Sequence, residues 1–404
     1  MSVSRRGFLH GLGSQRPRPL GGSLIAARGL EAHLAEAARG GTTRTLAPPG
    51  VNEIRISSNE NPLGPGKAAL DAMRGKFPEA GRYPFNSTPN EGALASTIAG
   101  VFAVKTENIV VGAGSQEILK NAVRAFTTPQ RGLVTASPSF ENCPGVARRL
   151  GHPVQEIKVD SAYRLDVEPM IAASKGAGLV FFNNPNNPTA TVHGAKTVAD
   201  FVQRVRSASP ETVILIDEAY HDYVTDPSYQ TAVPLALETP NVFVVRTFSK
   251  AFGMAGMRIG FAIGRPETIK RLAALKMPYN VSVFGIAAGI ASIRDPRHIE
   301  EERARNTEVR AFTVKALNDL GCKGSESQGN FIFVDVHRPA REFREACAKH
   351  GVMVGRDFPP FEKTHARISL GTMEEMQKAT AVFRNVLRPP TTATGGRTQE
   401  GSWR

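Results

Sequence analysis

The stretch "NVFVVRTFSKAFGMAGMRIGFAIG" (residues 241–264) decides the fold of this chain. It holds two short runs, "NVFVVRT" and "IGFAIG", that are apolar on both faces, as buried strands of a helix-covered sheet are. Between them lie Lys250 and Arg258, surrounded by Gly, Ala and Met. Lys and Arg are rarely buried without a partner. We therefore expect both side chains to face a ligand at the end of a strand.

Similar apolar, strand-like runs occur throughout residues 107–265, where they alternate with helix-like segments. The further strand-like runs are "NIVVG", "GLVTAS", "GLVFFNN" and "TVILIDE", and the clearest helical segments are "SQEILKNAVRAF" and "AKTVADFVQRVRS". This alternation predicts an α/β fold with a mainly parallel sheet covered by helices. Ligands of such sheets bind at the carboxyl ends of the strands. From about residue 300, "EERARNTEVRAFTVKALNDLG", "NFIFVDV", a helix near 340–350 and "ARISLGT" predict a smaller α+β domain.

Composition excludes several classes of protein. No run of the 404 residues approaches the roughly 18–20 apolar residues of a membrane-spanning helix, so no integral membrane segment is predicted. The net charge of +13 is concentrated at the ends, because residues 1–44 hold seven Arg and two Glu and residues 388–404 hold three Arg and one Glu. The body has no Lys/Arg run with interleaved aromatics, so nucleic-acid binding is not expected. Three scattered cysteines without a CxxC pair predict free thiols rather than zinc ligands.

The first 48 residues allow two interpretations. "SRRGFLHGLG" has the twin-arginine form of an export signal, which would place the protein in the periplasm. The following "SQRPRPLGGSLIAARGL" interrupts the apolar core that such a signal needs, which favours a disordered basic arm on a cytoplasmic protein. The sequence leaves both interpretations open.

Polar residues follow the predicted strands at the edge where a ligand is expected. Gly114, Ser115 and Gln116 open a helix and can bind an anion through backbone N–H groups, although Ser115 suits a plain helix cap as well. Phe140 is either core filler or a face for a flat ring. Asn187 lies in "NNPNNPTA", a rigid turn that by itself needs no function.

The next two strand ends carry charged residues. Asp217 ends an apolar strand and needs a cation, and Tyr220 follows three residues later. A lysine at such a place, here Lys250 after Ser249, is suited to form a Schiff base with an aldehyde. Arg258 can bind a phosphate in a bidentate manner. Pyridoxal 5′-phosphate (PLP) has the phosphate, flat ring, basic nitrogen, phenolic oxygen and aldehyde that these residues would bind.

The sequence resembles the fold-type I, class I/II PLP-dependent aminotransferases, and among them the histidinol-phosphate aminotransferases. The matching segments lie in family order from about 55 to 385 and are "SSNENPLGP", "RYP", "GAGSQEIL", "NNPNNPTA", "DEAYHDY", "RTFSKAFGMAGMRIG", "MPYNVS", "NFIFVDV" and "RISLGT". The resemblance implies a homodimer in which Tyr83 reaches the cofactor phosphate of the neighbouring subunit. It also implies that Lys250 carries PLP as an aldimine and that Arg367 clamps the substrate α-carboxylate. Arg356, before "DFPP", is the candidate for a distal anionic group of the substrate. Asn187 is expected to bind the phenolic oxygen of the cofactor and the substrate, and Tyr220 is expected to bind the same oxygen and to take part in catalysis with Lys250 and Asp217.

The resemblance also implies a domain layout. It places an N-terminal segment over 49–82, packed on the small domain and on the dimer partner, and a large PLP-binding domain over 83–298. The small C-terminal domain is expected over 299–388, and a disordered tail over 389–404.

The predicted reaction is transfer of an amino group from an L-amino acid, or from an amino-phosphate such as histidinol phosphate, to a 2-oxo acid. The runner-up is an arginine-type oxidase or hydroxylase, or a decarboxylase, on the same fold. A regulator with a PLP-like fold and a DNA-binding module is disfavoured, because the leader offers no helix-turn-helix and the nucleophilic lysine is retained.

Overall fold

A computed structural model of the chain describes residues 53–86 and 89–387. The leader or basic arm predicted over 1–48 and the tail predicted over 389–404 lie outside the described residues. The domain boundaries between them stay a prediction.

The strands follow one another through the described chain with helices between most of them. In chain order the strands are β1 (Ile54–Ile56), β2 (Ile109–Ala113), β3 (Leu133–Ser137), β4 (Val154–Lys158), β5 (Leu179–Asn183), β6 (Val213–Asp217), β7 (Val242–Thr247), β8 (Ile259–Gly264), β9 (Phe331–Asp335), β10 (Val352–Val354) and β11 (His365–Ser369). The helices are α1 (Lys67–Arg74), α2 (Glu91–Val101), α3 (Ser115–Phe126), α4 (Asn142–Arg149), α5 (Val167–Ala173), α6 (Ala195–Ala208), α7 (Val233–Glu238), α8 (Pro266–Ala273), α9 (Val283–Ile293), α10 (Pro296–Asn318), α11 (Ala340–Ala348) and α12 (Met373–Leu387).

Seven strands form the central sheet, in the spatial order β2-β8-β7-β6-β5-β3-β4. The strands from β7 to β4 are parallel to their neighbours, whereas β8 runs antiparallel to both β7 and β2. The mainly parallel sheet predicted from the sequence is therefore confirmed. The carboxyl ends of β5, β6 and β7 lie side by side, with Asp217 opposite Asn183 and Val245 in the register.

Both faces of the central sheet are buried, which explains why its strands are apolar throughout. In β7, Val242 and Val244 belong to one apolar cluster with α2, α6 and α9, while Phe243 and Val245 belong to the opposite cluster with α3, α4 and α8. Side chains of a strand alternate between its two faces, so each face needs its own set of apolar residues. The result is three layers, with helices on both sides of the sheet.

The C-terminal part of the chain has its own apolar cluster. The antiparallel pair β9–β11 and the parallel pair β1–β10 contribute to it, with Phe343 of α11 and Phe383 of α12 fully buried in it. Because β1 pairs with β10, the N-terminal segment is bound to the C-terminal part rather than to the central sheet. This pairing brings residues 57–60 toward the strand ends that carry the predicted site.

Most predicted elements agree with the structure, and the differences have physical reasons. The helix predicted from "SQEILKNAVRAF" is α3, and all six predicted strands of residues 107–265 are present. Strand β4 was not predicted, because its residues "VQEIK" lie at the edge of the sheet and are partly exposed. Within residues 53–86 and 89–387, no helix is both long enough and apolar enough to cross a membrane.

Candidate active site

A cavity of about 310 Å³ lies at the carboxyl ends of the central strands. It collects residues that are far apart in sequence and that were predicted from the sequence as site residues. These lining residues are Ser115, Gln116, Phe140, Asn187, Asp217, Tyr220, Ser249, Lys250, Arg258, Arg356 and Arg367.

One end of the cavity is built to bind an anion. Gly114, at the start of α3, has a φ of +72°, and a Cβ atom there would collide with Nη2 of Arg258. Only glycine therefore allows the guanidinium to approach the N-terminus of α3. Arg258 Nη1 donates to the backbone oxygen of Ala255 at 2.9 Å and to Oγ of Ser249 at 3.4 Å. A helix N-terminus, hydroxyl groups and an arginine together suit a phosphate group.

Asp217 is the buried carboxylate of the site. Its side chain is 2% exposed, and none of the ion pairs among the described residues includes it. Oδ1 accepts a hydrogen bond from the backbone N–H of Ala219 at 3.1 Å. Burial raises the pKa of Asp217 to about 7, and the charge of Glu218 acts in the same direction, against the N–H of Ala219 and the charge of Lys250. A protonated ring nitrogen would supply the partner that this carboxylate lacks.

Lys250 follows β7 through a short turn and is half-buried. Its Nζ donates to the backbone oxygen of Asn59 at 3.2 Å and lies 5.4 Å from the centre of the Tyr220 ring. The Tyr220 hydroxyl accepts a hydrogen bond from Nδ2 of Asn59 at 3.1 Å. An amine and a phenol therefore face the same space, and the N-terminal segment holds both in place.

Arg367 lies on β11 and is the buried cation at the other end of the cavity. Its Nη1 donates to Oδ1 of Asn187 at 2.9 Å, and its Nη2 donates to the backbone oxygen of Ser57 at 2.7 Å. Burial lowers the pKa of Arg367 to about 10, so the guanidinium stays charged at neutral pH. Asn187, for which the sequence predicted turn chemistry or contact with a phenolic oxygen, thus also orients this arginine.

Arg356 lines the same end of the cavity but is half exposed. Its guanidinium makes a bidentate pair with Glu141, with Nη1–Oε1 at 2.9 Å and Nη2–Oε2 at 2.5 Å. Arg356 was predicted from the sequence and Glu141 was overlooked, although Glu141 directly follows Phe140 beyond the end of β3.

Tyr83 is the one predicted side chain that lies away from the cavity of its own chain. It is 68% exposed and packs against Phe85 and Tyr279, with ring centres 6.0 and 5.7 Å away. These two neighbours are also large exposed aromatics. A Tyr83 hydroxyl that reaches a cofactor would therefore have to reach that of another subunit.

Two features of the site were missed by sequence reasoning. Asn59 is 1% exposed and links Lys250 to Tyr220, as described above. Behind Asp217, Arg246 Nε donates to Oε2 of the fully buried Glu218 at 2.8 Å. The sequence did contain a signal for this pair. The two residues have opposite charges and lie at the ends of the apolar strands β6 and β7, and a buried charge needs a partner. For Asn59, the only indication of a role in the site was its position in the segment "SSNENPLGP".

Residues 53–86 and 89–387 hold no group of three or more His, Cys, Asp or Glu arranged to bind a metal ion. The cysteines Cys143, Cys322 and Cys347 are free and buried, as expected from their spacing. A phosphate site, an unpaired buried carboxylate and a lysine in one cavity together fit PLP.

Comparisons with known proteins agree with this assignment. The profile of the family "Aminotransferase class I and II" matches residues 51–383. The histidinol-phosphate aminotransferase of Moorella thermoacetica is 33% identical over 338 residues, covering 83% of this chain and 85% of the relative. The histidinol-phosphate aminotransferase of Bacillus subtilis is 31% identical over 335 residues, covering 83% of this chain and 91% of the relative.

A solved structure adds the cofactor. The crystal structure of histidinol-phosphate aminotransferase from Sinorhizobium meliloti in complex with pyridoxal-5′-phosphate superimposes with a TM-score of 0.76 at 26% identity, covering 83% of this chain and 91% of that chain. The family profile spans most of the sequence, and the cavity holds the residues that this cofactor needs. The chain therefore belongs to the class I and II aminotransferase family and is a PLP-dependent transaminase.

Proposed function

We propose that this enzyme moves the amino group of an L-amino acid, or of an amino-phosphate like histidinol phosphate, to a 2-oxo acid. The observation that carries the proposal is that Lys250 and Arg367 line one cavity with the buried carboxylate of Asp217. A nucleophilic amine, a carboxylate for the cofactor nitrogen and an arginine for the substrate anion are what transamination requires. The names of the relatives support the amino-phosphate as one donor.

Two sets of side chains would hold the cofactor, one at its phosphate and one at its ring. When bound, PLP supplies an aldehyde carbon for amines and a ring that accepts electrons from the donor Cα. Gly114, Ser115, Ser249 and Arg258 would bind its phosphate, and Asp217 would keep its ring nitrogen protonated. Phe140, Gln116 and Tyr220 complete the walls of the cavity, and Tyr220 and Asn187 would bind the phenolic oxygen of the cofactor.

Lys250 performs the proton transfer. With PLP in the cavity, the free Nζ would take a proton from the donor Cα as a general base and would later give a proton back as a general acid. The backbone oxygen of Asn59 lies 3.2 Å from Nζ and orients the amine for this task.

Arg367 orients the donor. Its charge attracts the α-carboxylate of an amino acid, or the phosphate of an amino-phosphate in the same place. Holding the carboxylate firmly favours loss of the proton over loss of CO₂. Asn187 and the backbone oxygen of Ser57 restrict the guanidinium to one orientation.

The test is a donor panel with the PLP-loaded enzyme and 2-oxoglutarate, with oxygen excluded. We expect repeated turnover, with one glutamate formed for each donor consumed. Turnover that needs oxygen and no acceptor acid would show an oxidase instead, and CO₂ release in step with donor loss would show a decarboxylase.

We propose further that the active form is a homodimer with shared sites. Tyr83, Phe85, Met277 and Tyr279 are between 50% and 69% exposed, and Tyr279 lies within ring-contact distance of both Tyr83 and Phe85. Clustered exposed aromatic side chains of this size mark interaction surfaces. A second subunit on this surface would bring its Tyr83 to the cofactor phosphate of the first.

We also propose that residues 1–48 act as a twin-arginine leader. The motif "SRRGFL" supports this, and the twin-arginine route carries folded proteins, so PLP could be loaded before export. The alternative of a disordered basic arm predicts an uncleaved cytoplasmic protein.

A further inference from the structure

Two arginines at the donor end of the cavity lie near the same aromatic ring. The guanidinium carbon of Arg367 lies 4.8 Å from the centre of the Phe358 ring, and that of Arg356 lies 4.3 Å from the same centre. Both residues line the cavity. Two unpaired guanidinium groups so close together would form a clamp for a doubly charged anion.

The guanidinium of Arg356 is already paired with Glu141. Both carboxylate oxygens of Glu141 accept hydrogen bonds from Arg356, at 2.9 and 2.5 Å, and Arg356 Nη1 also donates to the backbone oxygen of Asp357 at 3.0 Å. Exposed ion pairs are usually weak, but a bidentate arginine–carboxylate pair is the geometry in which they hold. The charge of Glu141 also acts on Arg367, where it opposes the effect of Arg356 on the pKa.

We propose that Glu141 is a specificity-determining residue of the donor site, selecting donors with one negative charge and a neutral side chain over donors with a distal carboxylate or phosphate. This inference rests on the proposed transaminase function and refines its donor class. Glu141 acts through Arg356, which it neutralises, and through its own negative charge beside that arginine.

The physical reason lies in what each donor meets beyond Arg367. A neutral side chain meets the closed ion pair of Arg356 and Glu141 and is not repelled by it. An anionic side chain has to displace Glu141 from Arg356 or accept repulsion from it. By Coulomb's law in water, repulsion from Glu141 at a distance of about 6 Å weakens binding of a donor roughly threefold for each added negative charge. For a dianionic phosphate the loss of affinity is therefore roughly tenfold.

The experiment measures single-turnover rates of the PLP-loaded enzyme from the change in cofactor absorbance. The donors come in matched pairs that share the α-carboxylate and differ in the charge of the side chain: glutamine and glutamate, asparagine and aspartate, serine and phosphoserine. In Glu141→Gln we expect the ratio of kcat/KM for the charged to the neutral member to rise about threefold for carboxylates and about tenfold for the phosphate. The control is Glu156→Gln, which removes an equal charge from another exposed ion pair, that with Arg148, and should leave the ratios unchanged.

A second substitution and a second measurement test whether Glu141 acts by neutralising Arg356. In Glu141→Gln, the further change Arg356→Gln should remove most of the gain for charged donors. Inorganic phosphate, titrated calorimetrically into the PLP-loaded enzyme, should bind roughly tenfold more tightly to Glu141→Gln than to the unchanged protein.

The outcomes separate this inference from the function on which it rests. If the unchanged enzyme reacts with donors but Glu141→Gln shifts neither the ratios nor phosphate binding by more than about twofold, Glu141 does not set specificity. If the unchanged enzyme reacts with no donor at all, the transaminase proposal fails, and the inference fails with it.

Discussion

Replacing Asp217 with asparagine should stabilise the cofactor-free protein while disabling the enzyme. The carboxylate is 2% exposed, and burial raises its pKa from 3.8 to about 7. Each pKa unit corresponds to about 1.4 kcal/mol, so the ionised carboxylate lowers the free energy of unfolding by about 4 kcal/mol at alkaline pH. An amide of the same shape carries no charge to desolvate.

The sign of the pH dependence follows from the direction of the shift. The pKa is higher in the folded state, so the folded protein binds the proton more tightly than the unfolded chain does. The loss of stability caused by the ionised carboxylate is therefore absent below the ordinary pKa of 3.8, grows as the pH rises, and is complete above about 7. Between about pH 5.5 and about pH 8 it grows by about 2 kcal/mol. The stability advantage of Asp217→Asn should grow by the same amount.

Urea unfolding of the cofactor-free proteins at these two pH values measures the effect. The matched control is Asp71→Asn, because the pKa of Asp71 is lowered by its hydrogen bond with Lys67 and the carboxylate is ionised in both states over this range. The difference in free energy of unfolding between Asp71→Asn and the unchanged protein should not vary with pH. An Asp217→Asn difference that is equally independent of pH would refute the reasoning.

The same variant should lose at least about 100-fold in turnover, because an amide cannot keep the ring nitrogen of the cofactor protonated. Much of the cofactor affinity should remain, since Arg258 and the start of α3 bind the phosphate. Activity within a few-fold of the unchanged enzyme would contradict the role of Asp217.

Other predictions test the remaining groups. Borohydride should fix PLP to Lys250, and Lys250→Ala should lower turnover by about 10³-fold or more; label found on a different lysine, by mass spectrometry, would contradict the assignment. Arg367→Lys should raise the KM for carboxylate donors by roughly 10- to 100-fold, since a bidentate charged contact is lost, and an unchanged KM would exclude its role. Tyr83→Phe should weaken PLP binding roughly tenfold in a protein that sediments as a dimer, whereas an active monomer would exclude shared sites. Lys at both Arg5 and Arg6 should block export of the protein, and an uncleaved, wholly cytoplasmic unchanged chain would support the basic arm instead.

The central fold and the cofactor end of the site could be predicted from the sequence. Strands buried on both faces show as apolar runs whatever their neighbours are, so β5, β6 and β7 are recognisable from local pattern. Parallel strands present their carboxyl ends at one edge. For this reason the positions of Asp217 and Lys250, at the ends of two such runs, were enough to assign both residues to one ligand.

The donor end of the site was decided by the tertiary structure. Arg367 meets Asn187 across 180 residues of sequence, and Arg356 meets Glu141 across 215. Neither contact has a local pattern, because both depend on how the C-terminal part packs against the central sheet. The antiparallel direction of β8 likewise could not be predicted from the sequence, because the apolar pattern of a buried strand does not depend on its direction in the sheet. The sequence by itself thus determined which cofactor this protein binds, and only the folded chain decided how the two arginines of the donor end are paired. The physical reason is that buried strands have a local pattern, whereas the packing of distant segments has none.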